Sequence, residues 1–170
     1  MFKGNRRIIG DFGRSLVALV LTRIGAKVEE LSRKDKFDLF IKQPDGTMIH
    51  RPAFVKVKTR RLSPKVKWGD VPPSFEEFKY ERELAEREGA GFLLAFVFYN
   101  IVKGNPLKLQ VKAYIVNSNI VDEEWFITRT YRGRKIKQLS IDKILSLKPE
   151  EAFIVETSET MFQSMQPASI

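Results

Sequence analysis

The sequence predicts an α/β domain, a mixed sheet flanked by helices. Three observations predict it. Ile8, Ile9, Phe12, Leu16, Leu19, Val20 and Ile24 fall near helical spacing ahead of Gly25, which marks an opening helix over residues 5–24. Two short apolar runs, 37–41 and 53–58, flank the turn residues Gln43-Pro44-Asp45-Gly46 and read as a hairpin. Ser74-Phe75-Glu76-Glu77 has the form of a capping box opening a second helix over 75–88. The continuous apolar run 92–99 behind it is that of a strand buried on both faces.

Lys27-Val28-Glu29-Glu30-Leu31 reads as a short edge strand. Residues 60–73 read as a basic, proline-rich loop, and Gly89 and Gly91 close the second helix. After the turn Gly104-Asn105-Pro106, the residues Leu107, Leu109, Val111, Ala113 and Ile115 alternate with Lys108, Gln110, Lys112 and Tyr114. That is the pattern of a half-buried strand with a basic outer face. Residues 119–131 carry no clear period, and 141–148 read as a short helix stopped by Pro149. A single domain over 1–156 is expected, followed by a polar, flexible C-terminal tail over 157–170.

A chain of 170 residues buries roughly 70% of its unfolded surface on folding, so it needs no disulfide or structural metal. It contains no cysteine, which excludes thiol chemistry, zinc fingers and iron–sulfur sites. No run of about 18 apolar residues is present to span a membrane. The apolar stretch behind the basic start is broken by Asp11 and Arg14 with no cleavage site, so no signal peptide is expected and the cytoplasm is the expected location. Lysine and arginine number 30 against 21 acidic residues, a net charge of +9. Such an excess favours a polyanion partner, above all nucleic acid, through phosphate contacts and counterion release. The alternative is a solvated basic surface. The charged fraction of 30% leans towards a thermophile's composition.

The residues that carry chemistry cluster at the hairpin. On a strand, residues two apart share a face, so Phe54, Lys56 and Lys58 point one way and Val55 and Val57 point into the core. Asp38 stands near the start of the preceding strand, and Arg60 and Arg61 follow at once. An aspartate and two lysines are therefore expected to meet at one end of a sheet.

In these residues the chain resembles the PD-(D/E)XK, or restriction-endonuclease-like, nuclease superfamily, including its Holliday-junction-resolvase-like members. The resemblance covers residues 8–116. The family pattern is a helix with Gly-Glu near its start, an Asp on a core strand, then an acid, a spacer and Lys on the next. The counterparts are Gly13-Arg14, Asp38 and Lys56-Val57-Lys58-Thr59. The resemblance implies a restriction-endonuclease-like core, Asp38, Lys56 and Lys58 as the catalytic positions, and Asp38 as a metal ligand. It also implies a partner of double-stranded or branched DNA, and a homodimer.

Two departures alter that chemistry. Active members hold Mg²⁺ on two carboxylates and a carbonyl, and the metal generates the attacking hydroxide. Here Arg14 replaces the helix acid and Lys56 replaces the second strand acid. Asp38 against two lysines leaves a positive site, which repels Mg²⁺ and attracts phosphate. Each such contact is worth about 4 kcal/mol before desolvation. The expectation is a nucleic-acid-binding protein without a cofactor, its metal site degenerate. The alternatives are an active Mg²⁺-dependent endonuclease with its acid relocated to Glu77 or Glu81, which lie one helical turn apart, and a non-catalytic assembly subunit. Glu77 is also the natural capping partner of Ser74.

Arg14, Arg60, Arg61, Lys65, Lys67 and Trp68 are the candidate nucleic-acid contacts. Trp68 either stacks on a base or anchors its loop. Lys56 and Lys58 are alternatively the outward face of an ordinary strand, with Asp38 a salt-bridge partner of little energetic worth. The cluster Arg129, Arg132, Arg134, Lys135 and Lys137 around Gly133 either tracks a phosphate backbone or is a solvated turn. His50, the lone histidine, reads as structural. Few aromatics fall on the basic face, which favours DNA over RNA.

Overall fold

The computed structural model describes residues 3–47, 49–62, 71–101 and 109–156. Among them, a six-stranded mixed sheet and a three-stranded sheet are accompanied by three α-helices. The first helix, α1 (Lys3–Arg23), is followed by β1 (Lys27–Glu30), β2 (Leu39–Gln43) and β3 (Ala53–Arg61). Then come β4 (Val71–Ser74), α2 (Phe75–Arg87), β5 (Gly91–Ile101) and β6 (Leu109–Asn117). Two short 3-10 turns lead into β7 (Phe126–Tyr131), β8 (Arg134–Leu139), α3 (Ile141–Leu145) and β9 (Phe153–Glu156).

The large sheet runs β1-β2-β3-β5-β6-β9. Its neighbours are antiparallel except β3 and β5, which are parallel and joined by a crossover through α2. The start of α2 in that crossover is closed by a capping box. Ser74 Oγ accepts the Glu77 amide, and the Glu77 carboxylate accepts the Ser74 amide at 2.9 Å.

The sheet is covered on both faces, and β5 shows it most plainly. Phe92, Leu94, Phe96 and Phe98 join Phe78 and Ala85 of α2 in one apolar cluster. Leu93, Ala95 and Val97 join Val17 and Leu21 of α1 in the other. The uninterrupted hydrophobicity of this strand follows from its two covered faces. The small sheet, ordered β4-β8-β7, leans on the α2 side: Phe126 and Leu139 are buried in the same cluster as Phe78.

Several elements differ from the sequence expectation. β2 begins at Leu39 rather than 37. Phe37 instead stacks on Phe54, with centroids 4.5 Å apart, and the Asp38 carboxylate substitutes for a ladder partner. β3 continues through Arg61 into the expected loop, because it pairs with β5 as far as Tyr99. β6 is not half-buried with a basic outer face. Tyr114 and Val116 are buried on the α2 side, and Lys112 is half-buried against Glu156. β8 and β9 were not expected, nor was β4, a proline-containing edge strand. Lys65, Lys67, Trp68 and the tail 157–170 lie outside the described residues. None of the helices is long and apolar enough to cross a membrane among the described residues.

Candidate functional site

The site forms where β2 and β3 part. Leu39 pairs with Val55, and the Asp38 amide donates to the Val55 carbonyl at 2.9 Å. One step further along β3, the Val57 amide has lost its neighbouring strand. Asp38 Oδ2 accepts it at 2.8 Å. The carboxylate is thereby fixed at the mouth of the split, still about one-fifth exposed.

α1 comes unusually close to β3 at this point. Gly13 is buried, and a Cβ built on it would lie 1.8 Å from Thr59 Oγ1. Only glycine permits this approach. It sets Arg14 over the split, where its guanidinium lies 3.5 Å from Asp38 Oδ1.

Lys56 and Lys58 occupy the same face of β3, as strand alternation requires, but α2 covers that face. Lys56 Nζ lies 3.4 Å from Glu81 Oε1 and also donates to the Lys36 carbonyl. The Glu81 side chain is only 9% exposed, and its Oε2 is buried without a hydrogen-bond partner. Burial pushes the Glu81 pKa up, against the opposing pull of Lys56 and Lys58. Burial, and then the charge of Lys56, pushes the Lys58 pKa down, while Glu81, Asp38 and Glu77 oppose the fall.

The pairing is therefore crossed relative to expectation. Among the described residues, the ion partner of Asp38 is Arg14, and that of Lys56 is Glu81. Lys58 feels the field of both carboxylates but bridges to neither within 4 Å. Two carboxylates against Arg14, Lys56 and Lys58 leave one positive charge. Glu77 is held in its capping box and acts on Lys58 and Glu81 only through its charge.

A cleft of about 530 Å³ opens along the split. Arg6, Arg14, Lys58, Arg60 and Arg61 line it, with Asp38 as its lone carboxylate. A neighbouring cleft of about 340 Å³ shares Arg6, Arg14 and Asp38 and adds Lys56. The site thus gathers Asp38, Lys56, Lys58, Arg14, Arg60 and Arg61. His50 is exposed and plays no part.

Mg²⁺ needs several oxygen donors in a near-octahedral set, usually with one or two carboxylates. Asp38 already carries Arg14 and a backbone amide, and Glu81 already carries Lys56. No group of three or more acidic or histidine side chains converges among the described residues. As arranged, the donors do not suit the ion. The sequence reading assigned Thr59 no role of its own and did not single out Arg6 for the site. Thr59 is the wall against which Gly13 packs, and Arg6 lines both clefts.

No protein-family model matches the chain, and comparison with curated proteins finds no similar sequence.

Proposed function

We propose that this protein binds nucleic acid, specifically double-stranded or branched DNA, on a restriction-endonuclease-like core that has lost its metal site. The observation that carries the reading is the cleft at the β2–β3 split, lined by five cationic residues and by one carboxylate that is itself paired. Cations gathered along one groove suit a phosphate backbone, and counterions are released on binding.

Topology supports the core assignment. The order α1, β1, β2, β3, α2, β5 has three antiparallel strands, then a helical crossover to a parallel fourth. It is the arrangement that the resemblance of residues 8–116 implies. The position of Asp38 beside a parting strand pair agrees with it, as does that of Lys58 two residues beyond Lys56.

One observation favours a second reading. Glu81 presents a buried, unpartnered carboxylate oxygen next to Lys56 and within the field of Lys58. If Lys56 swung aside, Glu81 would serve as the relocated acid of an active Mg²⁺-dependent endonuclease. Incubating labelled duplex and four-way-junction DNA with the protein in Mg²⁺, in Mn²⁺ and in EDTA separates the two. The first reading expects binding in all three and cleavage in none. Metal-dependent cutting abolished by Glu81→Gln would establish the second.

A further inference from the structure

The hairpin of β7 and β8 reaches beyond the sheet that holds its base. β4 pairs with β8 only at Leu139 and Gln138. From Thr128↔Lys137 outward to Tyr131↔Arg134, the described residues show ladder pairing only between these two strands. The base is fixed: Trp125, Phe126 and Leu139 are buried beside Phe78. Beyond it, Thr128, Arg129, Thr130, Arg132, Gly133, Arg134, Lys135 and Lys137 are exposed. A two-stranded ribbon of this kind adds no core, and on its own would be marginal in water.

Its charge is one-sided. Between Phe126 and Leu139 stand Arg129, Arg132, Arg134, Lys135 and Lys137, with no acidic residue. Lys137, nearest the base, pairs with Glu123, while Arg134 and Lys135 stand nearer the tip.

The tip is a two-residue turn, Arg132-Gly133, with φ of 49° and 75°. This is the left-handed pair that matches strand twist in a tight hairpin, where Asn-Gly is the low-strain choice. Arginine there costs roughly 1–2 kcal/mol in backbone strain. A cation is thus kept at the tip against the conformational preference of the turn.

We propose that the β7–β8 ribbon is a second nucleic-acid contact, an arm that enters the major groove of a B-form duplex. The inference rests on the nucleic-acid reading above but concerns a separate surface. Paired strands lie about 4.8 Å apart, and the B-DNA major groove is about 12 Å wide and 8.5 Å deep, so it admits a two-stranded ribbon. The two-stranded stretch from Thr128 to Tyr131 spans roughly 10 Å at about 3.4 Å per residue, enough to reach the groove floor with the turn. A-form RNA closes its major groove to such an arm. Phe78, against which the arm's base packs, and Glu81, which enters the cleft, belong to the same helix, so arm and cleft share one rigid support.

The test is the salt dependence of affinity for a labelled 30-base-pair DNA duplex and for an RNA duplex of the same length, with wild type, Arg134→Gln/Lys135→Gln and the charge-conserving Arg134→Lys/Lys135→Arg. The Gln pair is expected to weaken DNA binding by about ten- to a hundredfold near 0.1 M salt. It should also make the slope of log K against log salt shallower by about 2, one unit per lost phosphate contact. The charge-conserving pair should keep the slope, and both pairs should melt like wild type. Wild-type affinity and slope in the Gln pair would overturn the arm while leaving the cleft standing. An equal loss on RNA would overturn its placement in the major groove. If wild type binds no duplex at all, the nucleic-acid reading itself falls.

Discussion

Asp38 Oδ2 accepts the Val57 amide at 2.8 Å while its other oxygen faces Arg14 at 3.5 Å. One carboxylate thus closes the free edge of β3 and neutralises the cation that α1 lays over the cleft. These two duties separate on mutation. Asp38→Ala strands the Val57 amide and should cost about 1–3 kcal/mol of stability. Asp38→Asn keeps an acceptor and should cost less. Both remove negative charge from the cleft, so DNA affinity should stay equal or rise. Thermal melts with anisotropy titrations on the same samples check this; weaker DNA binding in both variants would count against the charge account.

Gly13 offers a test by sign. Alanine in place of glycine within a helix ordinarily stabilises by about 1 kcal/mol. Here the new methyl would lie 1.8 Å from Thr59 Oγ1, so Gly13→Ala should destabilise by about 1–3 kcal/mol. Thr59→Ala removes a buried hydroxyl that has no partner and should be cheap. In the double variant the loss should be partly restored, a coupling that urea melts of the four proteins would measure.

Lys58 should trade stability for binding. Its folded-state pKa is lowered by burial and by Lys56, so the unfolded chain holds the proton more tightly. Stability linked to this group therefore rises as pH climbs through the folded value towards 10.5. Lys58→Met should then raise the melting temperature at neutral pH, with the gain shrinking as pH approaches 10.5. A lysine with an ordinary structural role would show no such gain.

Glu81 titrates with the opposite consequence. Burial raises its folded-state pKa above the unfolded value of 4.5. Its contribution is fully present below 4.5 and is lost as pH rises through the folded value. In Glu81→Gln the profile of melting temperature against pH should lose this decline. An unchanged profile would mean that Glu81 does not titrate above its ordinary range.

Lys56→Glu creates an acid-spacer-lysine order on β3 and places a second carboxylate near Glu81. This variant should acquire a melting temperature that rises with Mg²⁺, whereas wild type should not respond. Scanning calorimetry with and without the ion checks it.

Much of this fold is legible in the sequence because packing enforces a period. α1 announces itself through apolar spacing, α2 through Ser74 and Glu77, and β5 through an unbroken run that only two covered faces explain. β8 and β9 are not legible. Arg134-Lys135-Ile136-Lys137 carries little buried surface, and Phe153–Glu156 is only four residues long, placed by pairing with β6. The site is half legible. Strand alternation puts Lys56 and Lys58 together, but the partner of each acid depends on how α1 and α2 pack against β3, which the strand pattern does not specify. One signal was available: Glu81 falls in the buried stripe Phe78, Glu81, Ala85, three and four residues from its neighbours. A carboxylate in a core stripe demands a cation.

The central claim is that the cleft at the β2–β3 split binds phosphate without a metal. The most direct measurement is duplex affinity against salt in EDTA, for wild type and Lys58→Met. Binding that falls steeply with salt, with a slope shallower by about one in the variant, is the predicted result. Binding that appears only with Mg²⁺, or that is indifferent to both salt and Lys58, would contradict it.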